Sequence, residues 1–176
     1  SGSRVKLGVF GGTFDPIHLG HLVAAEEARV RLRLDEVLFI PAGSPWLKSD
    51  RVISDASHRL KMVELAVAPN PDFRVSDLEV RRAGPSFTVD TLEDLRRELG
   101  DGVELVVMVG IDALAEIGRW RDPDRVFELA TVVGLTRPGE HGLDLAPYEV
   151  RVVDVPAIGI SSTGVRRQVA CGMSIR

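Results

Sequence analysis

Two histidines three residues apart, His18 and His21, follow a glycine pair in the segment Gly11-Gly12-Thr13-Phe14-Asp15-Pro16-Ile17-His18-Leu19-Gly20-His21. Two glycines let a backbone approach a phosphate closely, and a turn opening into a helix presents N–H groups and a positive dipole end to an anion. If that helix begins near His18, the spacing turns both imidazoles to one side of its N-terminus, where they donate hydrogen bonds to a phosphate. Such a pair suits phosphoryl or nucleotidyl transfer, in which the protein mainly aligns two substrates and neutralises charge on equatorial oxygens. Neither histidine is needed as a nucleophile. Zinc would want three or four protein ligands, and the remaining candidates, His58, His141 and Cys171, are scattered. No metal site is therefore expected.

A second cluster, Ile160-Ser161-Ser162-Thr163-Gly164-Val165-Arg166, lies near the other end of the chain. Its hydroxyls are preferred helix caps, and Arg166 falls one turn after Ser162, so a guanidinium fork and a helix N-terminus can converge on one polyphosphate. Taken singly, the histidine pair and the hydroxyl cluster also read as ordinary caps.

The elements that must carry these groups are visible as periodicity. Val5 to Phe10 is a short apolar run, and the Leu22, Ala25, Ala28, Leu32 stripe after it has helical spacing, which predicts strand, tight turn, helix. Val37 to Ile40 predicts a second strand, Ala56 to Ala68 a helix, and Phe73 to Val80 an extended stretch. Val89, Leu92, Leu95 and Leu99 form another helical stripe closed by Gly100. Val103 to Val109 is apolar almost throughout, as a parallel strand covered on both faces would be. Strands over Ala130 to Leu135 and Val150 to Val155 and a helix over Ser161 to Ala170 complete the pattern. Strands alternating with helices predict an α/β, Rossmann-like, doubly wound parallel sheet in a single domain, with ligands beyond the strand C-termini.

Bulk properties narrow the classes further. A chain of 176 residues suits one domain with a real core, and 44% hydrophobic with 27% charged residues is ordinary for a soluble globular protein. The formal charge of −4 opposes broad adhesion to nucleic acid or anionic lipid, although local basic groups can still hold a small phosphate ligand. The single Cys171 excludes an internal disulfide and points to reduced cytoplasm. Neither a signal peptide nor a membrane-length apolar run is present. Ser1-Gly2-Ser3 reads as a cloning scar, leaving 4–176 as the domain.

Three further segments speak to a second substrate. Lys48 ends the loop Pro41-Ala42-Gly43-Ser44-Pro45-Trp46-Leu47-Lys48, where it can reach an anion or simply be solvated. Ser86-Phe87-Thr88-Val89-Asp90-Thr91-Leu92 opens a helix with hydroxyls, a place that welcomes a carboxylate and serves equally as a cap. Gly110-Ile111-Asp112 ends the buried strand, and Trp120 after it either packs in the core or stacks on a ligand ring.

With these residues in view, the chain resembles the nucleotidyltransferase superfamily that carries the (H/T)xGH signature, and within it the bacterial nicotinate mononucleotide adenylyltransferases. The match runs from Val5 to about Met173 through GTFDPxHxGH, PxxxPxxK, S(Y/F)TxDTL, GxD with a following tryptophan, RPG at Arg137-Pro138-Gly139, and ISSTxxR. The resemblance implies transfer of the AMP part of ATP to nicotinate mononucleotide, giving deamido-NAD and pyrophosphate, with Mg2+ bound through the ATP phosphates. It implies that His18 and His21 stabilise the transferred α-phosphate, that Gly11, Gly12, Thr13 and Phe14 contact ATP, and that Ser161, Ser162, Thr163 and Arg166 grip its outer phosphates. Thr88 would hold the nicotinate carboxylate, Trp120 would stack on the pyridine ring, and Asp112 and Lys48 would line the nucleotide and phosphate sites. Arg137 would support the ATP groove. Phosphopantetheine adenylyltransferase, which usually has Thr where His18 stands, and a non-catalytic nucleotide-sensing module are the alternatives. A homo-oligomer is left open, and the family's usual continuation past Met173 is not in the sequence, which stops at Arg176.

Overall fold

A computed structural model of the chain describes residues 4–44, 53–137, 145, 147–156 and 162–172. Along the chain come β1 (Val5–Gly12), α1 (Leu19–Leu32), β2 (Glu36–Pro41), α2 (Ala56–Val67), β3 (Phe73–Val75), α3 (Leu78–Arg81), α4 (Thr88–Leu99) and β4 (Val103–Gly110). After these lie α5 (Ile111–Ala115), a 3-10 turn (Ile117–Arg119), α6 (Pro123–Leu129), β5 (Thr131–Thr136), β6 (Arg151–Asp154) and α7 (Ser162–Ala170). The strands form one six-stranded sheet in the order β3-β2-β1-β4-β5-β6, parallel at every pairing. This is the doubly wound Rossmann-like order, in which the direction of winding reverses between β1 and β4 and opens a crevice beyond their C-terminal ends.

Period-two alternation divides the apolar side chains between two cores. Phe10, Val37, Phe39, Val106, Met108 and Val133 face α1 and α2, whereas Leu7, Val9, Leu38, Ile40, Leu105 and Val107 pack with the α4 and α6 residues Val89, Leu92, Leu95 and Val126. Burial on both faces is why these strands read as continuous apolar runs rather than alternating ones. No helix among the described residues is long and apolar enough to cross a membrane.

Three expectations about elements change. The stretch expected to be extended from Phe73 to Val80 is strand only as far as Val75, because the Ser76 hydroxyl accepts from the Leu78 amide at 3.2 Å and turns the chain into α3. Leu99 lies at the exposed edge of its stripe, 41% accessible. After it the helix end is tied down by the Arg96 guanidinium, which donates to the carbonyls of Gly100, Val103 and Leu129. The helices α5 and α6 are additional, too short to show a period, and Pro123 in the first turn of α6 supplies its start.

Candidate active site

His18 is the N-cap of α1, and the two histidines cap each other. The Gly20 amide donates to Nδ1 of His18 at 3.0 Å, and the His18 amide donates to Nδ1 of His21 at 3.1 Å. The rings stack with centroids 3.9 Å apart and planes 29° from parallel. Since both Nδ1 atoms accept, each neutral ring carries its proton on Nε2, so the cap selects the tautomer and aims two parallel donors. Partial burial, with a smaller contribution from the nearby charge of Arg137, lowers the pKa of His18 below 6.5 and keeps it neutral near pH 7. Beneath the pair lies Phe14, whose ring meets His21 edge-on at 5.1 Å and also packs on Phe10 and Phe39. Its φ of 49° lies in the left-handed region, a strained setting for a bulky residue that the surrounding rings hold in place. Gly12 packs closely on it, since a Cβ there would come within 3.1 Å of the Phe14 ring and force one of the two to shift.

The N-terminus of α7 docks on the same connection. The Ser162 hydroxyl donates to the Pro16 carbonyl at 2.8 Å, and Nη1 of Arg166 donates to the Asp15 carbonyl at 2.5 Å while Nη2 donates to Thr163 Oγ1 at 3.1 Å. Residues almost a whole chain apart thus meet within a few positions of His18.

Beside this junction, at the β1/β4 crevice, is a cavity of about 240 Å³ whose lining includes Gly11, Gly12, Thr13, Ala42, Thr88 and Trp120. The N-terminus of α4 faces it with Thr88 as first residue and no side-chain cap on its amides, which favours an anionic or acceptor group there. Ser86 is 8% exposed, lines the cavity, and its Oγ has no hydrogen-bond partner among the described residues. Glu79 also lines it. Burial raises the pKa of that carboxyl, against the opposing effects of a hydrogen bond from Thr91 and the charge of Arg82; the Thr91 hydroxyl donates to Oε2 at 2.8 Å.

The family described as cytidylyltransferase-like matches residues 9–168 of this chain. The chain belongs to that family. Among curated relatives, the probable nicotinate-nucleotide adenylyltransferase of Nocardioides sp. strain JS614 is 53% identical over 163 residues, covering 90% of this chain and 79% of its own length. That of Salinispora arenicola is 51% identical over 164 residues, covering 92% and 87%. The fold is shared with a solved nicotinic acid mononucleotide adenylyltransferase of Plasmodium falciparum complexed with NaAD, which superposes with a TM-score of 0.78 over 98% of this chain and 87% of that one at 18% identity.

Within this cytidylyltransferase-like frame, the structure brings most of the residues picked out by sequence to one junction. Gly11, Gly12 and Thr13 line the same cavity as Thr88 and Trp120. Trp120 is 8% exposed, belongs to the α4-side core, and donates from Nε1 to the Ala113 carbonyl at 3.1 Å while lining the cavity. Phe14 is 3% exposed, belongs to the α1-side core and is absent from the cavity lining. Asp112 stands exposed in the first turn of α5 and is absent from the cavity lining. Ser86 is not the cap of α4; Phe87 holds that position. Lys48, Ser161, Pro138 and Gly139 lie outside the described residues.

Sequence reasoning missed Glu79, Ser86 and Arg121 as cavity residues, and Arg59 beneath it. Arg59 had a visible signal, a charge on the Arg59, Val63, Val67 stripe that faces the core from α2. Glu79 had none, since α3 has too few residues to show a buried side. Among the described residues no three His, Cys, Asp or Glu side chains converge on a point.

Proposed function

We propose that this chain transfers the adenylyl group of ATP to nicotinate mononucleotide, releasing pyrophosphate and forming deamido-NAD. One observation carries the site reading: a mutually capped histidine pair, with both Nε2 atoms free of the cap, follows directly on the Asp15 and Pro16 carbonyls where the α7 N-terminus docks, a few residues after the Gly11, Gly12 and Thr13 that line the cavity. Curated relatives at about half identity over nearly the whole chain bear the name of that activity.

In this account an oxygen of the acceptor's 5′-phosphate forms a bond to the α-phosphorus of ATP, and the bond from that phosphorus to the α,β-bridging oxygen breaks in line, the electron pair leaving with pyrophosphate. The attacking phosphomonoester is already largely dianionic at neutral pH, since its second pKa is about 6, so no general base is required. His18 and His21 donate from Nε2 to the non-bridging α-oxygens as charge builds on them. Ser162, Thr163 and Arg166 hold the outer phosphates, with Ser161 as a further donor, and Arg137 lies close enough to His18 to add positive charge. Magnesium bound to the triphosphate would neutralise part of its charge. In the cavity, the amides at the start of α4 and the Thr88 hydroxyl receive the pyridine carboxylate, and Trp120 flanks the ring.

The test is an acceptor screen with purified protein and Mg-ATP, reading pyrophosphate release with nicotinate mononucleotide, nicotinamide mononucleotide and phosphopantetheine. Release with nicotinate mononucleotide at the highest kcat/KM supports the proposal. A preference for phosphopantetheine, or ATP binding without release for any acceptor, would replace it with a different transferase or a nucleotide sensor.

A further inference from the structure

Arg59 is only 1% exposed. Its Nη1 donates to the carbonyls of Thr13 at 2.8 Å and Ala42 at 2.5 Å, its Nη2 to that of Gly43 at 3.0 Å, and its Nε to that of Ser54 at 2.8 Å. These acceptors are backbone carbonyls from separate stretches: the turn after β1, the residues that follow β2, and the approach to α2. A buried cation is expensive to desolvate, and a well-packed apolar side chain of similar volume commonly serves a core equally well. What an apolar side chain cannot supply is a rigid planar fork of N–H donors reaching several carbonyls at once.

The carbonyls it gathers belong to the site. Thr13 and Ala42 both line the cavity, and a single nitrogen of Arg59 ties one to the other. Thr13 also continues the glycine turn toward Asp15, whose carbonyl receives Arg166, and toward the histidine cap. Gly43 is pressed so closely on the Glu79 carbonyl that a Cβ would overlap it, so the wall held by Nη2 has no slack of its own. The Asp15 carboxylate adds a parallel link, accepting from the Ser54 amide at 3.2 Å.

The geometry points to Arg59 as a positioning residue that fixes the phosphate turn after β1 against the cavity wall after β2, and so sets the separation of the two substrates. This rests on the adenylyl-transfer reading above. Misalignment of bound reactants is felt chiefly in the transition state, so the signature is a fall in kcat with little change in KM.

The test compares Arg59→Met and Arg59→Lys with wild type by thermal melting and by initial rates, varying ATP and nicotinate mononucleotide in turn. For Arg59→Met, kcat is expected to fall by about 100-fold, the scale of an ångström-level misplacement, with both KM values within about threefold of wild type. Arg59→Lys keeps the charge without the fork, and its kcat should also lie well below wild type. The inference is overturned if Arg59→Met keeps kcat within about threefold, if the loss is in KM alone, or if Arg59→Lys matches wild type. It is also overturned if neither variant folds, because Arg59 is then a strut of the core. A wild-type protein that transfers to no acceptor would instead sink the functional reading on which this one stands.

Discussion

Replacing His18 separates the cap that the structure shows from the phosphate-donor role proposed above. Its Nδ1 accepts from the Gly20 amide, and its Nε2 is the donor assigned to the α-phosphate. His18→Ala removes both. Loss of an N-cap acceptor costs about 1 kcal/mol, which for a chain of this length lowers Tm by about 2–4 °C. Loss of one preorganised transition-state donor lowers kcat by about 10²–10³, with the KM for ATP nearly unchanged, because the interaction strengthens only as charge develops. Asparagine is at least as good an N-cap and too short to supply the missing donor. His18→Asn should therefore recover the melting temperature and leave kcat as low as in His18→Ala. Differential scanning fluorimetry and a coupled pyrophosphate assay on both variants read the two quantities independently. Recovery of both in His18→Asn, or a His18→Ala enzyme that turns over like wild type, would show that the histidine only caps.

Further expectations follow from the same contacts. The folded-state pKa of His18 is lowered below 6.5, so its contribution to stability is fully present above that value and is lost as pH falls through 6.5 toward the folded value; the melting temperature of wild type should drop more steeply on the acid side than that of His18→Asn. Ser86→Ala removes a buried hydroxyl that has no partner among the described residues, so the unliganded protein should gain about 1 kcal/mol in denaturant melts, whereas the acceptor KM should rise if the hydroxyl serves the ligand. Trp120→Leu should raise the acceptor KM by about 2- to 10-fold through the lost stacking, while Trp120→Phe stays near wild type and neither changes the KM for ATP. Arg166→Ala should raise the KM for ATP by about tenfold or more and leave that for the acceptor alone, and steady-state kinetics on the variant would show the reverse if Arg166 belongs to the acceptor side.

The parallel sheet was readable because burial on both faces leaves a continuous apolar signal, as in Val103 to Val109, and because α1, α2 and α4 are long enough to show helical spacing. The starts of α1 and α7 were readable for a different reason: cap-forming side chains at His18 and Ser162 stand at the beginning of helical spacing. The shape of the cavity was not, since Glu79, Ser86 and Arg121 acquire their positions from α3 and from loops whose conformation depends on tertiary contacts. Asp112 illustrates the opposite case, a residue well placed at the end of a strand that the first turn of α5 carries out to solvent. Trp120 could not be assigned from sequence because it packs in the core and lines the cavity at once, its indole N–H fixed by the Ala113 carbonyl.

The most direct test is a crystal structure with a non-hydrolysable ATP analogue and nicotinate mononucleotide bound together. The account predicts the α-phosphate within about 3 Å of Nε2 on both His18 and His21, the outer phosphates at the α7 N-terminus beside Arg166, and the pyridine ring in the cavity against Trp120. A triphosphate seated away from the histidine pair, or reaching it without meeting α7, would contradict it.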